Sequence, residues 1–212
     1  MTDLRGNIFF DGPVGRIEAI IKEPDGQVTR AAIVCHPHPL YGGTMHNKVV
    51  FRIARSFQDA GFSVLRFNFR GTGLSEGEHD NGVGEQDDLR AALNFVENKY
   101  PDAAIWVAGF SFGAAVMLHA ITCDDRMQAI VGAGVPFPKY DFTAVTQCKK
   151  PKLFVQGALD EFGSPEELER LVETLDEPKE LKIIPDADHF FDGHLTELQQ
   201  AVSSFIARYA DT

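Results

Sequence analysis

Basic residues are scarce in this chain. Over 212 residues, 20 Lys and Arg stand against 31 Asp and Glu, a formal net charge of −11 with a pI near 5.0. Nucleic-acid binding draws on basic patches that release counterions, and anionic bilayers repel an acidic surface. Neither a nucleic acid nor a membrane is therefore expected as a partner. Long apolar runs are also missing. The longest are strand length, so no segment is expected to span a bilayer. Residues 1–6 lack the apolar core of a secretory leader. Cysteine occurs only at positions 35, 123 and 148, an odd and scattered set. That usage points to reduced thiols and a cytoplasmic protein. His36, His38 and His46 lie close together with Cys35 adjacent, but no carboxylate or cysteine completes a familiar ligand spacing. No metal and no organic cofactor is expected. A phosphate loop is excluded as well. The stretch from Arg70 to Leu74 has Gly71 and Gly73, but Glu76 stands where a third glycine belongs and no Gly-Lys-Ser/Thr follows. It reads instead as a tight strand-exit turn that would bring Arg70 near a site.

What remains is an ordinary globular composition, 44% hydrophobic, in a length that suits one domain over residues 1–212. The pattern alternates. Residues 7–11 and 17–22 form an opening hairpin around Gly12-Pro13. Strands follow at 31–35, 62–69, 104–108, 129–133, 152–156 and 181–184. Helices fall near 47–60, 85–100, 165–175 and from about 195 to 209, with one more after residue 111. Continuous apolar strands alternating with helices predict a mostly parallel sheet covered on both faces, with an antiparallel hairpin at its N-terminal end. No repeat, low-complexity tract or linker interrupts the chain.

The most informative segment is Gly109-Phe110-Ser111-Phe112-Gly113, between an apolar strand and a small-residue helix. Gly-x-Ser-x-Gly at such a junction is a nucleophile elbow, which strains the serine backbone and exposes its hydroxyl beside a helix N-terminus. A serine needs a base within hydrogen-bond reach, and the base needs an orienting acid. In this arrangement the acid and then the histidine follow the serine in sequence. Asp160 follows the 152–156 strand and His189 follows the 181–184 strand, so all three fall at strand ends, where open parallel sheets place their ligands. Glu161 rivals Asp160. Asp186 and Asp188 share the histidine's own loop and suit its turn. His194 is the nearby alternative to His189 and falls within the last helix. Ser164-Pro165-Glu166-Glu167 makes a capping box that leaves Asp160 free. One oxyanion donor should be the backbone N–H of Phe112, the residue after the serine.

Two longer segments, from Cys35 through His36-Pro37-His38-Pro39-Leu40-Tyr41-Gly42-Gly43 to Val50, and from Arg66 through Gly71-Thr72-Gly73 to Gly77, are more specific than the elbow. With them the chain resembles the α/β-hydrolase superfamily from about Gly6 to Ala210. It is most similar to a group of small, lidless bacterial hydrolases related to dienelactone hydrolase and to serine peptidase-like esterases. The resemblance implies an α/β-hydrolase fold and a triad of Ser111, Asp160 and His189. Superfamily members often carry His-Gly-x after the first parallel strand and donate an N–H from x. This implies a second donor at His38, with Leu40 or Tyr41 as alternatives. Larger members insert a cap after the sixth strand, whereas here only about fifteen residues join two strands, so the site should be open.

Phenylalanine is abundant, with 17 residues. Tyr41, Phe110, Phe137, Tyr140 and Phe190 are the candidate walls of an apolar, modest pocket. The expected activity is hydrolysis of short-chain or small aromatic carboxylic esters. A peptidase or thioesterase on the same triad and a non-catalytic binding protein are the alternatives. The expected partner is a small-molecule ester, and the protein is expected to be a monomer or a homodimer.

Overall fold

The structure, a computed structural model, describes residues 7–120, 124–140 and 142–210. Residues 1–6 and Cys123 lie outside them. Eight strands form one sheet in the order β1-β2-β4-β3-β5-β6-β7-β8. They are β1 (Ile8–Gly12), β2 (Gly15–Lys22), β3 (Arg30–Cys35), β4 (Ser63–Phe67), β5 (Ala104–Phe110), β6 (Met127–Ala133), β7 (Lys152–Gly157) and β8 (Lys179–Ile184). The pairs β1–β2 and β2–β4 are antiparallel, and every pair from β4 to β8 is parallel. The helices are α1 (Lys48–Asp59), α2 (Gly84–Lys99), α3 (Phe112–Ala120), α4 (Pro165–Thr174) and α5 (Leu195–Tyr209). No helix among the described residues is long and apolar enough to cross a membrane.

Period-two alternation divides the core. Ile33 and Cys35 of β3 and Val107 of β5 face one cluster with Leu89, Leu93 and Leu168, beneath α2, α3 and α4. Val34 of β3 and Trp106 and Ala108 of β5 face the other, with Ile53, Phe57 and Phe205 from α1 and α5. Both faces are apolar, so the central strands read as continuous hydrophobic runs.

Local chemistry sets the element ends. Asn47 caps α1 by accepting the N–H groups of Val49 at 2.8 Å and Val50 at 3.4 Å. Ser164 caps α4 by accepting from Glu167 N–H, as its sequence predicts. The reciprocal half of the capping box is not made, because Ser164 donates its own N–H to the Phe137 carbonyl at 3.0 Å. His36 ties the ends of two strands together. It is fully buried, accepts the Phe69 N–H on Nε2 at 3.0 Å, and places Nδ1 2.6 Å from the Pro37 carbonyl. Burial pushes its imidazole down to about 4, so it is neutral. Gly71 and Gly73 take positive φ in a tight turn after β4. Arg70 does not reach the site as expected. Its guanidinium turns inward to buried Asp88, 2.8 Å away.

Candidate active site

β5 ends in Phe110 and α3 begins at Phe112, leaving one residue, Ser111, to reverse the chain. Ser111 has φ 54° and holds its N–H on the Ala133 carbonyl of β6 at 2.9 Å. An L-residue with positive φ is strained and must be held by its surroundings. The two flanking glycines answer to close approach. A Cβ on Gly109 would sit 2.5 Å from backbone atoms of Gly113 and Ala114. A Cβ on Gly113 would meet the carbonyl oxygens of His36 and Cys35 at 2.5 and 2.6 Å. The second glycine therefore serves packing of α3 against the exit of β3, beyond the fold-back of the turn itself.

Ser111 Oγ lies 2.9 Å from His189 Nε2, and His189 Nδ1 lies 2.8 Å from Asp160 Oδ2. Asp160 is buried and fully engaged. Its Oδ1 accepts the N–H groups of Phe162 and Gly163, and its Oδ2 also accepts Gln156 Nε2 at 2.8 Å. The proton between His189 and Asp160 sits on Nδ1, because a carboxylate only accepts, and Nε2 is then free to accept from the Ser111 hydroxyl. Glu161 is exposed and makes no such contact. Asp188 Oδ1 accepts the N–H groups of Phe190 and Asp192, which shapes the histidine's turn. His194 sits just before α5 rather than within it, with Nδ1 3.4 Å from Glu197.

The relay opens into a cavity of about 460 Å³. Tyr41, Tyr140 and Phe190 line it, as do His38 and Phe112. Two expected wall residues lie elsewhere. Phe110 has no exposed surface and belongs to the α1–α5 face, where its ring packs 5.2 Å from that of His189. It braces the imidazole and stays out of the cavity. Phe137 stacks on Phe142 at 5.9 Å and packs against the core, also outside the lining. In their place the cavity takes Phe162, whose ring is 4.7 Å from the His189 ring, and Lys139.

Phe112 is the first residue of α3, so its N–H has no acceptor within the helix. The His38 N–H is likewise without a backbone acceptor among the described residues. The two alternatives are occupied. Leu40 N–H donates to His38 Nδ1 at 3.3 Å, and Tyr41 N–H donates to the His38 carbonyl at 3.1 Å. Leu40 also lies outside the cavity lining. The three loop histidines do not converge, since His36 is internally bonded and buried while His46 is exposed.

Gln156, Phe162 and Lys139 escaped the sequence reading. Gln156 had a visible signal, a lone amide inside the apolar run of β7. It accepts Val135 N–H at 2.8 Å, donates to Gly163 O and steadies Asp160. No local signal marks Phe162 or Lys139.

A mostly parallel sheet with helices on both faces and a strained serine at a strand-to-helix turn, backed by a histidine and an acid from later strand ends, is the arrangement of an α/β hydrolase. A family model described as an alpha/beta hydrolase domain matches residues 32–210, and the chain belongs to that family. An alpha-beta serine hydrolase homologue from Coxiella burnetii is similar at 40% identity, over 96% of this chain and 97% of its own, with a TM-score of 0.88. A serine hydrolase without a lid from Xanthomonas campestris has 38% identity over 96% of this chain and 94% of its own, with a TM-score of 0.87. The uncharacterized protein RP471 of Rickettsia prowazekii is 36% identical over 208 residues, 94% of this chain and 87% of its own. This chain is lidless too. β6 and β7 are joined through residues 134–151, in which a short 3-10 turn, Thr143–Gln147, is the single element among the described residues.

Proposed function

We propose that the protein is a serine esterase acting on short-chain or small aromatic carboxylic esters. The observation that carries this reading is the hydrogen-bonded series Ser111–His189–Asp160 opening into an uncapped, aromatic-lined cavity. In the proposed reaction His189 Nε2 takes the Ser111 proton as Oγ attacks the ester carbonyl. Asp160 keeps the Nδ1–H tautomer and stabilises the imidazolium. The N–H groups of Phe112 and His38 receive the oxyanion. His189 returns the proton to the leaving alkoxide, and water hydrolyses the acyl-enzyme by the same steps.

Hydrolysis of p-nitrophenyl acetate, butyrate, octanoate and dodecanoate tests the reading. Turnover should favour the shorter acyl groups. Ser111→Ala should lower kcat by about four orders of magnitude or more, to the level that binding and the oxyanion donors sustain. Near-normal turnover by Ser111→Ala would overturn the assignment. Activity rising with acyl chains beyond about ten carbons would overturn the pocket assignment.

A further inference from the structure

The cavity carries polar side chains that the ester chemistry above does not use. Beside its aromatic rings it is lined by His38, Asn47 and Lys139. In each of these the acceptor is spent or absent while a donor remains. Asn47 Oδ1 is committed to the N–H groups of Val49 and Val50 as the cap of α1, which leaves its Nδ2 amide to donate. His38 Nδ1 accepts the Leu40 N–H at 3.3 Å, which puts the ring proton of the neutral imidazole on Nε2. Burial holds the His38 imidazole below its ordinary range, with the nearby charges of His79 and Lys139 acting in the same direction and Glu85 against them. Lys139 carries only donors. Its Nζ lies 5.7 Å from the Tyr140 ring centre, and it forms no ion pair among the described residues.

Among the described residues no carboxylate lines the cavity, although the chain carries a net charge of −11. Asp160 lies behind His189 with its oxygens engaged. Glu85 is buried, accepts the N–H groups of Asp80 and Gly82, and faces His79 Nδ1 at 2.8 Å. A cavity whose described lining holds a cation, the spare donors of His38 and Asn47 and no carboxylate complements an acceptor-rich, negatively charged group.

We propose that the site takes half-esters of short dicarboxylic acids. Lys139, with His38 Nε2 and Asn47 Nδ2, would hold the free carboxylate while Ser111 attacks the ester carbonyl. The inference rests on the serine-esterase reading above. The bond formed is Ser111 Oγ to the acyl carbon. The bond broken is acyl carbon to alkoxy oxygen, which leaves as the alcohol with the proton from His189. Water then releases the dicarboxylic acid and restores Ser111.

Monomethyl glutarate and methyl pentanoate are matched in length and differ by the charge. Wild-type kcat/KM should favour monomethyl glutarate by about tenfold, a preference that narrows in high salt. Lys139→Glu should invert the ratio and Lys139→Gln should fall between, with the change in the KM of the charged ester. Equal or better use of methyl pentanoate, or a ratio unmoved by Lys139→Glu, would overturn the proposal. Calorimetric binding to Ser111→Ala protein separates this inference from the chemistry. Tighter binding of monomethyl glutarate, weakened by Lys139→Glu, supports it even if Ser111 proves not to be the nucleophile. Indifference to charge in the same titration overturns it whatever Ser111 does.

Discussion

Gln156 lies outside the cavity lining yet bonds directly to a member of the Ser111–His189–Asp160 series. Its amide bridges Val135, Gly163 and Asp160 inside the sheet, with no exposure to solvent. Gln156→Leu would leave Val135 N–H without its acceptor and remove one donor from the Asp160 carboxylate. The expected loss is about 1–3 kcal/mol of stability, read by chemical denaturation. With one fewer donor the Asp160 carboxylate is held less firmly against His189, and kcat should fall with KM little changed. An unchanged kcat while stability fell would restrict Gln156 to a structural part. At this scale the sequence was readable where the signal is local. Ser111, Asp160 and His189 each follow a strand pattern, and the structure brings their side chains within hydrogen-bond distance. Phe110 and Phe137 were misread because proximity to a key residue along the chain does not reveal which side of a strand end a ring occupies. Strand alternation places Phe110 with Trp106 and Ala108, under His189. Lys139 and Phe162 reach the cavity only through the path of their loops.

The elements were legible almost throughout, because apolar periodicity and caps act over a few residues. Five helices and eight strands fall where the pattern predicts, with ends shifted by a few residues. Interactions between elements were not legible. Arg70 pairs with Asp88 of α2, 18 residues away, and Ser164 N–H turns to Phe137 instead of closing its box. The junction of β5 and α3 is the element-scale feature on which the site depends. Gly113→Ala would press a methyl group on the carbonyl oxygens of Cys35 and His36, 2.6 and 2.5 Å from its Cβ. These are backbone atoms at the exit of a central strand and cannot give way cheaply. Overpacking of this kind costs about 1–3 kcal/mol, and displacement of α3 would carry Ser111 and the Phe112 N–H out of register. Gly113→Ala should therefore lose stability by thermal or urea unfolding and lose more than tenfold in ester turnover. Full turnover at normal stability would contradict the packing argument.

For the whole molecule, acid should be destabilising well above the pH at which carboxylates titrate. The buried His36 imidazole titrates at about 4 in the folded state against an ordinary value of 6.5. Between these values the unfolded chain binds the proton and the folded one does not, so stability rises with pH. The contribution is fully present above about pH 6.5 and is lost as pH falls toward 4. From pH 7.5 to 5 the loss amounts to about 2 kcal/mol. Urea unfolding at the two pH values should show this drop in the wild-type protein and a smaller one in His36→Gln. Parallel behaviour of the two proteins would place the pH sensitivity elsewhere. The proposed esterase chemistry depends on activation of Ser111 by His189 in the folded protein, and mass spectrometry after exposure to a fluorophosphonate reads that activation. A single adduct is expected, mapped to Ser111, absent from Ser111→Ala and formed at least about a thousandfold more slowly in His189→Ala. No adduct on folded protein, an adduct elsewhere, or equal labelling of His189→Ala would contradict it.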